Sequence, residues 1–170
     1  INALHIEVDE RCFKLLALHQ PMAADLRAIV AAVKINSDLE RVGDLAVNIA
    51  EAAKRYVVHP PVKKLIDIPR MGTIAQAMLR DALDSFVRLD VELARDVCAR
   101  DDVVDELNRQ VISDVQALIE VNPSDIEPAF HFYSASRHVE RIAEAATPGE
   151  EGLVEAVMRE IGMSKTSMSC

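Results

Sequence analysis

The chain has 170 residues, half of them apolar, enough to bury a sizeable core in one domain or two small ones. Its net charge of −9, with no gathered Lys or Arg, argues against nucleic acid as a partner, because phosphate neutralisation needs a basic patch. No apolar run approaches the roughly 20 residues of a membrane span, and the three cysteines (Cys12, Cys98 and Cys170) have neither metal-site spacing nor an even count. They fit a reducing compartment better than a disulfide framework.

In chain order, Ile1 to His19 places Ile1, Leu4, Val8, Leu15 and Leu18 on one stripe of an amphipathic helix. The start at Ile1, already in helical phase, is expected to be that of a fragment whose upstream part is absent. His19-Gln20-Pro21 ends the first helix, and Pro21 is expected in the first turn of a long second helix reaching Tyr56. So short a link predicts an antiparallel hairpin. Along the second helix Met22, Leu26, Ile29 and Val33 share a face, which continues through Asn36, Glu40, Asp44, Val47 and Glu51. Hydrocarbon gives way to carboxylate in mid-stripe, and carboxylates facing a core need a positive counterpart.

Val57 to Arg70 holds three prolines and reads as a connector. The expected division is therefore a first unit over residues 1–60, a linker over 61–70, a second unit over 71–147 and a tail over 148–170. Helical period resumes from Met71 to Leu89, with Asp90 as the cap of a further helix from Val91 to about Val121. Asn122-Pro123-Ser124 is a turn, Ser124 and Glu127 have capping-box spacing, and the last clear helix spans Asp125 to about Ala146. Leu153 to Ile161 is expected to form a short helix and Gly162 to Cys170 a loose end.

The hairpin recurs. Asp38-Leu-Glu-Arg-Val-Gly-Asp44 falls on His138-Val-Glu-Arg-Ile-Ala-Glu144 at an offset of 100, so Glu40 meets Glu140 and Arg41 meets Arg141. Ile1, Leu4 and Val8 fall on Val104, Leu107 and Val111 at an offset of 103. The fold class is therefore all-α, a duplicated helical bundle. With a rise of ~1.5 Å per residue in antiparallel helices, Asp105 and Glu140 reach about the same height. Asp101 with Asp105, and Glu140 with Glu144, are i,i+4 pairs that can meet across the second bundle. In the first copy Glu40 and Asp44 reach the level of Asn2. Such oxygen donors point to a hard cation or a paired metal cluster, not structural zinc. The plainer reading is a polar layer neutralised by Arg41 and Arg141, with Asp38 paired to Arg41 on an outer face that His138 shares. His5, His19 and His59 are expected at the surface or in turns.

The stretch LLALHQPMAADLRAIVAAVKINSDLERVGDLAVNIAE, with RDDVVDELNRQV and SRHVERIAEAAT later, resembles the PhoU family, regulators of bacterial phosphate uptake, over about Asn2 to Thr147. The resemblance implies two tandem antiparallel three-helix bundles, the first lacking its opening helix here. It implies divalent or iron-type metal ions in carboxylate clusters, carried by Glu40 and Asp44 in one copy and by Asp101, Asp105 and Glu140 in the other. Glu144 stands where the first copy has Asp44, and Asn2 where a carboxylate would match. It implies an adaptor and not an enzyme. That adaptor would be cytoplasmic, peripheral to the inner membrane through its partners, often a homodimer, and a negative regulator between the phosphate ABC transporter ATPase and a sensor histidine kinase. Two rivals share the helical fold. A di-iron carboxylate enzyme wants Glu-x-x-His, and no glutamate here has histidine three residues later. A metal-free helical interaction module would hold its carboxylates in salt bridges instead.

Overall fold

The computed structural model describes residues 1–60, 68–147 and 154, and among these the regular structure is all helical. Five α-helices follow in order: α1 (Asn2–His19), α2 (Ala24–Tyr56), α3 (Ile68–Arg88), α4 (Val91–Val121) and α5 (Ile126–Ala146). Helices α1 and α2 form the first hairpin. Helices α3, α4 and α5 pack on one another as a three-helix bundle, and α2 lies along α5, joining the two parts.

The links between helices are set by backbone conformation. The first turn uses two left-handed residues, Gln20 at φ 44° and Ala23 at φ 51°, so Pro21 precedes α2 and does not sit in its first turn. The Gln20 amide closes the end of α1 by donating to the Leu16 carbonyl at 3.2 Å. Leu89, at φ 54°, breaks α3, and Asp90 then caps α4 as its sequence predicts, its Oδ1 accepting from the Leu93 amide at 3.0 Å. The expected capping box does not form. Pro123–Asp125 makes a 3-10 turn, the Ser124 hydroxyl donates to Asn122 Oδ1 at 2.6 Å, and α5 starts without a side-chain cap. Helix α3 begins at Ile68, three residues before the expected Met71, and residues 61–67 of the expected linker lie outside the described residues.

The core is built from small residues that let helices approach closely. Met71, Ala75, Met78 and Ala82 of α3 meet Ala94, Val97, Val104 and Val111 of α4 and Val139, Ala143 and Ala146 of α5. Ala31 and Ile35 of α2 belong to the same cluster, so one core runs from the first hairpin into the bundle. Of the tail, Val154 is described. It is helical and fully buried in that core, whereas the rest of the expected helix and loose end lies outside the described residues.

The burial of α2 corrects the stripe read from its sequence. Ala31, Asp38, Leu45 and Ala52, spaced by seven, are buried, the phase of a helix packed lengthwise on another. Met22, Asp44, Val47 and Glu51 of the predicted stripe are exposed. Asp38 is 8% exposed, not on an outer face, because α2 turns this row inward where it packs along α5. Cys12 and Cys98 are buried thiols.

Candidate metal centre

The two hairpins repeat a polar tie at matched heights. In the second, the Ser136 hydroxyl of α5 donates to Asn108 Oδ1 of α4 at 3.1 Å. The Asn108 amide donates in turn to Glu140 Oε1 at 3.0 Å. In the first, Asn36, which matches Ser136, donates to the His5 carbonyl and to Asp9 Oδ1, both at 2.8 Å. His5 occupies the place of Asn108 at the offset of 103. These buried side chains link the antiparallel partners and hold their register.

Above this tie, α4 and α5 bring the second acidic set together. Glu140 is 7% exposed, and its other oxygen accepts from the Arg137 guanidinium one turn earlier. Burial raises its pKa; Arg137 opposes that shift, and the nearby Glu144 and Asp105 add to it. Asp101 is pushed up to about 6 by burial first and then by Asp105, Glu144, Asp102 and Glu140. One Asp101 oxygen, Oδ1, is buried with no hydrogen-bond partner. Five carboxylates, Asp102 included, thus share one field, and the cation opposing part of it at Glu140 is Arg137. Arg141 is exposed and instead depresses His138, which burial already holds below the ordinary histidine range.

The donor chemistry fits a hard cation in this second set. Asp101, Asp105, Glu140 and Glu144 offer only oxygen, and the orphaned Asp101 oxygen is a lone pair that protein groups leave unsatisfied. The first copy offers less. Asn2 and Asp44 are exposed, Glu40 is half-buried, Arg41 is exposed, and the polar tie through Asn36 is already satisfied.

One further group stands out. Among the described residues, the set of three or more His, Cys, Asp or Glu whose ligand atoms lie within 4.8 Å of one another is His59, Glu127 and His131. The acidic quartet is a looser gathering by that measure. Glu127 and His131 share a face of α5 at i,i+4, one residue wider than Glu-x-x-His, so that spacing does not reveal them. His59 is a turn residue, as expected, but it points at that face.

A model of the PhoU domain matches residues 1–53 and 68–148. The chain belongs to the PhoU family. The phosphate-specific transport system accessory protein PhoU homolog of Aquifex aeolicus is 40% identical over 141 residues, covering 83% of this chain and 64% of that protein. The homolog of Clostridium acetobutylicum is 34% identical over 148 residues, covering 86% of this chain and 68% of that one. The chain spans about 64% of the length of the first of these curated relatives. The crystal structure of PhoU from Pseudomonas aeruginosa superposes with a TM-score of 0.86 at 30% identity, over 95% of this chain and 76% of that one. PhoU from Streptococcus pneumoniae, at 23% identity and a TM-score of 0.80, shares the fold. No helix of the described residues is long and apolar enough to cross a membrane.

Proposed function

We propose that this PhoU-family chain is a phosphate-transport accessory protein that works by binding and not by turnover: a metal-responsive adaptor holding the phosphate-starvation response off. It would sit in the cytoplasm, peripheral to the inner membrane, between the ATPase of the phosphate ABC transporter and a sensor histidine kinase, as a homodimer. The observation that carries the metal part is the buried, unpartnered Asp101 Oδ1 among Asp105, Glu140 and Glu144. A divalent or iron-type ion there would draw α4 and α5 together in place of carboxylate repulsion. Asp101 and Asp105 would hold it from α4, and Glu140 and Glu144 from α5. Asn108 and Arg137 would fix the Glu140 carboxylate. Glu40 and Asp44, with Asn2 beside them, would form the weaker site of the first copy.

The test is a titration of chelator-treated protein with Mn²⁺, followed by calorimetry and thermal melting at pH 7.5. Binding and a rise in melting temperature are expected for the native sequence and not for Asp101→Asn/Asp105→Asn. Equal metal content in both would sink the assigned centre. A second reading, a metal-free interaction module with the same partners, draws on Arg137 and Asn108, which already satisfy Glu140. No binding by either protein would favour it.

A further inference from the structure

We propose that His59, Glu127 and His131 form a site for a borderline-soft transition metal such as Zn²⁺, separate from the carboxylate centre. His59 lies just beyond the end of α2, in a turn where its amide donates to the Tyr56 carbonyl at 3.0 Å. Glu127 and His131 stand one helical turn apart at the start of α5. His59 Nε2 and Glu127 Oε1 are 3.9 Å apart, and ligand atoms of all three residues lie within 4.8 Å of one another.

An ion pair would need one imidazole against the carboxylate. Here two converge, with ring centres 5.9 Å apart, and the second imidazole has no role in a simple pair. Two imidazoles and one carboxylate are instead a familiar three-donor set for zinc, leaving a fourth position open, and they are a poor set for Ca²⁺ or Mg²⁺. Donors about 2.0–2.1 Å from a tetrahedral ion stand about 3.3 Å from one another. His59 Nε2 and Glu127 Oε1 therefore need to close by about 0.6 Å, and no pair by more than about 1.5 Å, within the reach of side-chain rotation. The neighbouring frame is set: Tyr56 of α2 packs on Phe132 of α5, ring centres 6.2 Å apart, which holds the two helix ends that carry the donors. A bound ion would staple the end of the first hairpin to the start of α5, across the seam between the two halves.

The experiment is titration of the chelator-treated full chain with Co²⁺, read by visible absorption, and with Zn²⁺, read by calorimetry and melting temperature. One equivalent of Zn²⁺ is expected at this site, counted apart from any ion in the carboxylate centres, with a tetrahedral or five-coordinate Co²⁺ spectrum. Affinity should fall at least tenfold in His59→Ala, Glu127→Gln and His131→Ala, and stay unchanged in Asp101→Asn/Asp105→Asn. Glu127 is exposed, so Glu127→Gln leaves folding aside and keeps the test decisive if His131→Ala is unstable. Equal Zn²⁺ affinity in native protein and Glu127→Gln, or losses no larger than in the exposed-histidine control His19→Ala, would overturn the site. Loss of Zn²⁺ binding only in the aspartate variants would overturn it as well, by placing the ion in the carboxylate centre.

Discussion

Asp101 carries its proton to about pH 6 in the folded chain against an ordinary value of 3.8. The folded state therefore binds more protons than the unfolded state between these values, and stability from this group is lost as pH rises through 6. Without metal, Asp101→Asn should melt above the native protein at pH 7.5, and the difference should shrink towards pH 4.5. Each kcal/mol recovered is worth roughly 2–4 °C in a chain of this size. With Mn²⁺ added at pH 7.5 the order should reverse, because the substitution removes a ligand. A melting difference that does not change with pH would refute the buried-acid account. Asn108 makes a sharper structural case. Its amide is committed to Glu140 on one side and Ser136 on the other. Asn108→Ala strands Glu140 Oε1 in a buried layer, while Ser136 keeps its bond to the Tyr133 carbonyl, at about 1–3 kcal/mol measured by denaturant unfolding. What sequence showed at this scale was the recurrence of acids at one level. Arg137 was hidden, because the reading by analogy put the neutralising role on Arg141, and one residue's rotation decides which arginine reaches the carboxylate. Asp38 was hidden for a related reason: packing of α2 along α5, not the residue's own polarity, determines that it is buried.

At the scale of elements, helix cores were legible and helix ends less so. The apolar phases of α1, α2, α4 and α5 place their bodies within a few residues, because that phase follows directly from side-chain spacing. Asp90 was readable as a cap because its short carboxylate meets an amide in a fixed local geometry. Asp90→Ala should cost about 1 kcal/mol, seen as a lower unfolding midpoint with an unchanged slope. The turn before α2 was misread, since left-handed Gln20 and Ala23 give no compositional sign. Ser124 and Glu127 had the spacing of a capping box, but the 3-10 turn at Pro123 carries Ser124 off towards Asn122. Glu127 is thereby left for His59 and His131 to approach.

For the whole molecule, duplication was legible as an offset in sequence, and the matched polar ties give it a physical form. The way the copies associate was not legible, because contact between α2 and α5 is long-range and leaves only the seven-residue row at Ala31, Asp38, Leu45 and Ala52. Large apolar side chains of the first hairpin remain exposed: Ile1 is 67% exposed, Leu4 65% and Leu18 66%, with Phe13 and Met22 also exposed. Exposed apolar surface of this kind drives association. Sedimentation at micromolar concentration should show self-association that Leu4→Gln/Leu18→Gln weakens. A single monomeric species in the native sequence would contradict that expectation.

The packing of α2 on α5 sets each repeat against its own copy. Neither half of the duplicated gene can then drift alone, since a bulkier side chain on one strand of this inheritance has to be met by a smaller one on the other. Among descendants, paired exchanges should therefore cluster where the two helices touch, as at Tyr56 and Phe132, where the end of α2 meets the start of α5.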